Sequence, residues 1–352
     1  MIDVLILTLE DNANTAWRYS KCLRMLGLNV MGFKGAIHPF YYPEQLPVHP
    51  SLAEWRVKWN GSKRALFMEV IDPEIKMLMK EARVIHYFHT YGFYYADMDF
   101  YNKKIVCNHG GRIYRLYHDI WNKTVDPFID ANIIQTPDLL NFGATNEHYM
   151  MNPVQTNYLK PFYRDTSDDL RIAHFPSMAK KKGTTGIVDT IEKVRSKFPN
   201  RLQYCGTTGV AAGSDENPPQ YNIWYHNIDR MKVADIYIDQ ISPTVTYGGP
   251  KENKTVPFGE FANAALEAAS LGKIVIANSL GVNHYAEKYG ELPMVQIANN
   301  MEELEEILNW LLSEKPSKIH ELQVKTREWV VRNHSMKAHA ERLWNEVYKH
   351  LM

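Results

Sequence analysis

The sequence alternates between short runs of β-forming apolar residues and longer stretches with helical spacing, and it does so in two series. The first series begins with the strand-like run 2–8 and the helical stretch 15–26, and it continues to the strand-like run 132–135. The second series begins at 170–174 and continues to 273–277. Strands that alternate with helices form parallel sheets joined by crossover helices. The chain is therefore predicted to be an α/β protein with two units of similar size.

A polar stretch over residues 152–169 separates the two series and contains Pro153 and Pro161. Proline and clustered polar residues are typical of connections between domains. The length of 352 residues also suits two domains of average size. We therefore predict an N-terminal Rossmann-like domain over residues 1–160 and a C-terminal Rossmann-like domain over residues 168–334.

Residues 335–352 are predicted to form a separate C-terminal helix. Ser335 is a favourable N-cap residue, and the apolar residues that follow it recur at helical spacing. A helix with an apolar stripe must be covered by another part of the protein. Packing on the second domain and packing back on the first domain are both compatible with the sequence.

Composition and charge argue against several classes of protein. Lys plus Arg equals Asp plus Glu, at 40 each, which disfavours nucleic-acid binding through a large positive field but permits a local basic groove. The N-terminus lacks the features of a signal peptide, and no apolar run is long enough to span a membrane. The three cysteines are odd in number and far apart, which fits a reducing compartment. A cytoplasmic protein is therefore expected.

Candidate ligand-binding residues follow the predicted strands, because open α/β sheets bind ligands at the carboxyl ends of their strands. The glycine fingerprints of dinucleotide-binding enzymes and of P-loop enzymes are absent from the sequence. Three lysines at 180–182 follow the strand-like run 170–174, and Gly183 and Thr184 then begin a predicted helix. Positive charge at a helix start is suited to binding a diphosphate. Three consecutive lysines are also common on ordinary solvated surfaces.

A second informative stretch joins the strand-like run 234–240 to a helix predicted from Asn263. The loop 259–262 before this helix would offer unpaired backbone N–H groups. Glu267, one turn into the helix, would accept hydrogen bonds from sugar or ribose hydroxyls. A single glutamate on a helix usually faces solvent, but Glu267 is surrounded in the sequence by small apolar residues, which favours a functional role.

These stretches together resemble the donor half of GT-B glycosyltransferases, in particular the family 4-like group (glycosyl transferases group 1). The resemblance implies an α/β GT-B fold in which two Rossmann-like domains face a cleft and the second domain holds the nucleotide-sugar. It also implies a UDP- or GDP-linked sugar as the donor, retention of the anomeric configuration, and no requirement for a cofactor or a metal. The sequence segments that match the family pattern are Arg171–Ser177, Lys182–Thr184, Ala234–Gln240, Gly259–Ala262 and Glu267–Ile276.

The sequence departs from the family pattern in two places. Glu260 and Glu267 are one residue closer together than the family's glutamate pair, so Gly259 and Glu260 both remain candidates for the first position of that pair. Residues 247–256 also resemble an insertion beside the donor loop. Which residue contacts the hydroxyls of the sugar is therefore open.

The resemblance implies roles for residues in both domains. The candidate catalytic residues are His109, Glu260 and Glu267. The acceptor side of the cleft is assigned Asp11, Asn12, Ala13, Asn14, His89 and Arg112. No residue is assigned to a metal. Donor binding is assigned to His174, Ser177, Lys182, Gly183, Thr184, Asp239, Gln240, Gly259, Phe261, Ala262 and Asn263.

The sequence thus predicts a glycosyltransferase that moves a hexosyl or pentosyl group from a nucleotide-diphosphate sugar to an acceptor. A surface polysaccharide, a lipid-linked sugar and a modified DNA base are all compatible acceptors. Two alternatives stay open. A nucleotide-sugar epimerase or hydrolase on the same scaffold would consume the donor without an acceptor, and a non-catalytic sugar-nucleotide-binding protein would bind without turnover.

Overall fold

The chain divides into two compact units. The computed structural model describes residues 1–38, 40–54, 73–88, 103–176, 182–206, 224–248, 253–259 and 263–352. Unit 1 comprises Met1–Pro153 and Met336–Met352, and unit 2 comprises Val154–Ser335. Across these described ranges, no helix has both the length and the apolar character needed to cross a membrane.

Unit 1 contains a parallel sheet with helices on both faces. Its strands are β1 (Ile2–Thr8), β2 (Val30–Lys34), β3 (Ala82–Phe88), β4 (Lys104–His109), β5 (Ala131–Ile134) and β6 (Glu147–Tyr149). Its first helices are α1 (Thr15–Met25), α2 (Pro73–Glu81) and α3 (Gly111–Thr124), and short 3-10 turns span Asn12–Asn14, Asp126–Phe128 and Pro137–Leu139. The strand order is β2-β1-β3-β4-β5-β6.

Strand β1 lies inside this sheet and is buried on both faces, which explains why its sequence is a continuous apolar run rather than an alternating one. On one face, Leu5 and Leu7 belong to a core cluster with residues of α2 and α3. On the other face, Val4 and Ile6 belong to a second cluster with residues of α1. The sheet therefore separates two apolar layers, as in a Rossmann-like unit.

Unit 2 repeats this construction. Its strands are β7 (Leu170–Ala173), β8 (Leu202–Tyr204), β9 (Ile236–Ile238), β10 (Thr244–Gly248), β11 (Asn253–Pro257), β12 (Ile274–Ala277) and β13 (Gln296–Ile297). Its helices are α4 (Thr184–Lys197), α5 (Trp224–Lys232), α6 (Asn263–Ser270), α7 (Val282–Tyr289), α8 (Met301–Ser313) and α9 (Pro316–His334). The parallel sheet has the order β13-β12-β9-β7-β8, and β10 and β11 form a separate antiparallel hairpin.

Residues 154–160, assigned from the sequence to the first domain, pack in unit 2. Arg327 of α9 donates hydrogen bonds to the carbonyl oxygens of Thr156 and Leu159, at 2.8 and 2.9 Å. Further along, Arg164 forms an ion pair with the buried carboxylate of Asp235 at 2.8 Å. These long side chains tie the connecting segment to unit 2, so the chain leaves unit 1 at Pro153.

The C-terminal segment belongs to unit 1. After α9 ends at His334, Ser335 connects it to α10 (Met336–Glu346), and a 3-10 turn follows at Tyr348–His350. Leu343 of α10 and Tyr348 lie in the same core cluster as the residues of α1 and β1. The apolar stripe that the sequence indicates is therefore covered by unit 1, an outcome that helical spacing alone left open.

Candidate functional site

The strand order of unit 2 reverses at β7. The chain runs from β7 to its neighbour β8 and then returns to β9 on the opposite side of β7. In open α/β sheets, the crevice outside the carboxyl ends of two such strands is the usual ligand site. His174 directly follows β7, and Asp239 directly follows β9. Two of the predicted donor-binding residues therefore lie at the reversal point.

His174 connects three elements at this edge of the sheet. Its Nδ1 donates a hydrogen bond to the carbonyl oxygen of Ile238 at 2.8 Å, and its Nε2 accepts one from the Thr184 hydroxyl at 2.9 Å. Because a carbonyl oxygen only accepts, Nδ1 carries the proton of a neutral ring. Burial lowers the pKa of His174 to about 4, so the ring stays neutral near pH 7. His174 thus ties β7 and β9 to the first residue of α4.

Lys182 places a positive charge beside the same edge. Its Nζ lies 3.0 Å from Oδ1 of Asp239, and the two side chains are only 12% and 3% exposed. The ammonium group also lies 5.9 Å from the ring centre of Phe258. A lysine that a partner holds close to a helix N-terminus is a favourable site for an anion, because ammonium charge and helix dipole attract the same group.

The start of α4 is shaped by glycine. Gly183 has a φ of +72° and occupies the N-cap position, a left-handed conformation that other residues adopt at a cost. Within the described residues, no side chain caps this helix, and the first N–H groups of any α-helix lack an intrahelical acceptor. Lys182, Gly183 and Thr184 therefore form the kind of helix start that the sequence predicts.

Gln240 holds the base of the β10–β11 hairpin. Its Nε2 donates hydrogen bonds to the carbonyl oxygens of Ser242 and Phe258, the residues that flank the hairpin. The Asn278 side chain, which follows β12, also donates to Ser242 at 3.2 Å. Gln240 is fully buried. The predicted donor-binding residue therefore organises the segment that precedes α6, and this hairpin contains the stretch that the sequence marks as an insertion.

Gly259 has no room for a side chain. A Cβ at this position would lie 2.2 Å from Cβ of Leu280 and 2.5 Å from Oδ1 of Asn278. Both atoms belong to the loop that follows β12, so the backbone of Gly259 packs directly on that loop. A glycine is thus required here for close approach of two loops.

We expect Gly259→Ala to destabilise unit 2 by about 1–3 kcal/mol, because the added methyl group forces the two loops apart. Gly186→Ala is a matched control, since the atoms nearest to a Cβ there belong to the flexible Met301 side chain and alanine favours the helix by about 0.5–1 kcal/mol. Melting temperatures of both variants test this, and a Gly259→Ala protein with the melting temperature of the wild type would contradict it.

Glu267 is a buried carboxylate on α6, with only 5% of its surface exposed. The indole N–H of Trp224, at the start of α5, donates a hydrogen bond to its Oε1 at 3.1 Å. Asn263 is the first residue of α6. Trp224 was not singled out in the sequence, because nothing in its local pattern connects it with a residue 43 positions away.

In unit 1, the predicted acceptor-side loop follows β1 at another reversal of strand order. Both carboxylate oxygens of Asp11 accept hydrogen bonds from backbone N–H groups of α1, those of Ala16 and Trp17. Burial raises the pKa of Asp11 to about 6. Asn12 is exposed. Ala13 and Asn14 have positive φ angles of 54° and 56°, so this turn has a strained backbone.

His109 ends β4 and is completely buried. Its Nε2 lies 2.6 Å from Oδ1 of Asn132 on β5, and its ring stacks on Tyr114 of α3 with ring centres 4.2 Å apart. Because the Asn132 amide donates to Asp126 and to the Thr145 carbonyl, its oxygen accepts from His109. The histidine is therefore packed into the sheet edge, and a role at the reacting centre stays a prediction.

Several predicted site residues lie outside the described residues, namely Ser177, His89, Glu260, Phe261 and Ala262. Arg112 lies in α3, but its side chain is likewise not described. Among the residues that are described, no three His, Cys, Asp or Glu side chains are grouped so as to hold a metal ion.

Solved structures of several known proteins match this fold over nearly the whole chain. The structure of Anabaena Alr3699/HepE in complex with UDP and glucose matches with a TM-score of 0.63 at 10% identity, over 99% of this chain and 100% of that chain. Trehalose-6-phosphate synthase OtsA matches with a TM-score of 0.61 at 10% identity, over 99% of both chains. A putative UDP-N-acetylglucosamine 2-epimerase from Listeria monocytogenes matches at 0.55 and 10% identity, over 99% and 96%.

Neither a protein-family model nor a curated protein sequence matches this chain. The structural matches extend over nearly the whole chain, and they include glycosyltransferases of the GT-B class. The chain therefore has the GT-B fold that the sequence predicts.

Proposed function

We propose that this protein is a glycosyltransferase that uses a nucleotide-diphosphate sugar as its donor and binds the nucleotide in unit 2. The observation that carries the proposal is the position of Lys182. A lysine held 3.0 Å from Asp239 lies next to the N-terminus of α4, where the strand order of the sheet reverses. A UDP complex among the proteins of the same fold supports a nucleotide at this site.

Lys182 would stabilise the leaving diphosphate. When the bond between the anomeric carbon and the phosphate oxygen breaks, negative charge builds up on the diphosphate. A preorganised ammonium group and the N-terminal N–H groups of α4 oppose that charge without rearrangement during the reaction. We propose that these groups supply the positive charge, so that transfer proceeds without a metal ion.

Glu267 would accept hydrogen bonds from hydroxyls of the donor, and the loop after β11 would approach the diphosphate through Gly259. The complex of HepE with UDP and glucose supports a uridine nucleotide as the first donor to examine, with GDP-sugars next. We propose further that a hexosyl or pentosyl group is transferred with retention of the anomeric configuration. The acceptor would bind beside residues Asp11–Asn14, and it would be a polysaccharide, a lipid-linked sugar or a modified DNA base.

A nucleotide-sugar epimerase or hydrolase is the second candidate function. The match to a putative UDP-N-acetylglucosamine 2-epimerase over 99% of this chain favours it. Such an enzyme would use the same nucleotide site and would need no acceptor. A requirement for an added acceptor separates the two functions, since product formation from the donor alone favours the second.

A thermal-shift screen against UDP-, GDP-, ADP-, CMP- and dTDP-sugars without added metal tests the nucleotide site. A ligand at about 100 times its Kd adds about 2.7 kcal/mol to the free energy of unfolding. For a unit of this size, we expect the melting temperature to rise by roughly 5–10 °C with one nucleotide. Well-folded protein that shifts with none of them would contradict both candidate functions.

A further inference from the structure

The carboxylate of Glu267 is buried and therefore needs hydrogen-bond donors. Its neighbours on α6 include Ala265, Ala268 and Ala269, all fully buried, and methyl groups donate nothing. A charged group that is removed from water is strongly destabilised unless donors surround it. One donor to this carboxylate comes from another element of unit 2, the helix α5.

Trp224 supplies one such donor and is itself locked in place. The side chain is 4% exposed, and its ring contacts the rings of Tyr158, with ring centres 5.8 Å apart, and Tyr225, at 5.5 Å. Ile228 lies on the same buried face of α5. An indole has one N–H donor and no acceptor, so in its hydrogen bond with a carboxylate the indole is always the donor. A rigid ring therefore fixes one oxygen of Glu267.

We infer that Trp224 is a positioning residue for nucleotide binding, acting through Glu267. This inference rests on the proposed function. A carboxylate can accept about four hydrogen bonds, so the hydrogen bond from Trp224 leaves other lone pairs of Glu267 for ligand hydroxyls. The same hydrogen bond fixes the direction in which these remaining lone pairs point. The indole N–H selects one rotamer of Glu267 before the nucleotide binds. Nucleotide binding then does not have to include the cost of ordering the Glu267 side chain.

Trp224→Phe tests this directly, because phenylalanine keeps an aromatic ring in the same place and removes the N–H donor. We expect the Kd for UDP, measured by isothermal titration, to rise about tenfold, the effect of losing a hydrogen bond to a charged group. The melting temperature of the free protein should also fall, because the buried carboxylate loses a donor, so both affinities are measured at a temperature at which wild type and variant are fully folded. Trp310→Phe is the matched control, since Trp310 donates to Glu314 at 2.6 Å on α8, and its Kd for UDP should equal that of the wild type.

A double-mutant cycle separates positioning from simple packing. If Trp224 acts through Glu267, then Trp224→Phe should have no further effect on the Kd for UDP once Glu267 is replaced by alanine. Additive losses would mean that the ring contributes by packing alone, and this would overturn the inference. Unchanged affinity in Trp224→Phe, with affinity lost in Glu267→Ala, would also overturn it and leave the proposed function standing. Failure of the well-folded wild type to bind any of the screened nucleotides would instead remove the proposed function itself.

Discussion

Replacing Lys182 with methionine is expected to lower kcat/KM for the proposed sugar transfer by about 10²–10³-fold, because in that reaction the ammonium group would oppose the charge that develops on the leaving diphosphate. Methionine keeps much of the apolar stem and removes only the charge. The loss should fall mainly on kcat, since charge builds up in the transition state more than in the bound donor. Steady-state kinetics with the donor identified by thermal shift measure this effect.

Two control variants make the result for Lys182 interpretable. Lys193→Met removes an exposed lysine of α4 that pairs with Glu305 at 2.6 Å, and we expect its kinetics to match the wild type. Loss of Lys182 leaves Asp239 buried without this partner, which destabilises the fold. The combination of Lys182→Met with Asp239→Asn removes that charge and should recover the melting temperature without recovering activity. Wild-type turnover in either Lys182 variant would contradict the proposed role.

The free energy of unfolding is expected to fall steeply as the pH drops below about 6.5, because several histidines are buried in their neutral form. Burial lowers the pKa of His86 and His339 to about 3 and that of His38 and His174 to about 4. The unfolded chain binds protons at these residues from about pH 6.5 downward, whereas the folded chain does not. Each fully buried histidine therefore removes about 1.4 kcal/mol of stability per pH unit in this window.

Protonation of Asp11 changes the free energy of unfolding in the opposite direction over part of the same pH range. Its pKa is raised to about 6 in the folded protein, so below that pH the folded state binds the proton more tightly than the unfolded state. This offsets the effect of one histidine between about pH 6 and pH 4. The remaining buried histidines outweigh Asp11, so the free energy of unfolding should still fall as the pH falls.

Urea unfolding between pH 7.5 and pH 4.5 measures the acid effect. His339→Phe removes one buried histidine whose ring lies against Tyr19, with ring centres 4.6 Å apart, and should make stability less dependent on pH by about one proton. His350→Gln removes an exposed histidine of the same C-terminal segment and should leave the dependence unchanged. A pH dependence in His339→Phe equal to that of the wild type would show that this histidine titrates normally.

Local sequence patterns predicted the elements that surround the site. The apolar runs at β1 and β7 indicated parallel strands, because strands buried on both faces tolerate little polar alternation. The phrase Lys182–Thr184 indicated a helix start, because the left-handed residue there favours glycine. These features depend on a few adjacent residues, so they can be read without knowledge of the fold.

The side-chain environment of single residues was not predictable in this way. The sequence assigned His109 to the reacting centre, but it did not show that the ring is fully buried and stacks on Tyr114. The sequence assigned Gln240 to donor binding, but it did not show that the side-chain amide donates to the residues that flank the hairpin. In both cases the direction of a side chain depends on what packs above the strand end, and no local pattern records that.

By itself, the sequence determined the α/β class, most strand and helix positions and the glycine at the start of α4, since each follows from residue periodicity and backbone preference within a few positions. Only the tertiary structure decided which distant residues meet. Lys182 pairs with Asp239, 57 positions away, because β9 lies next to β7 in the sheet. Glu267 meets Trp224 because α5 packs against α6. Strand order and helix packing are set by the burial of whole faces, which is a property of the complete chain.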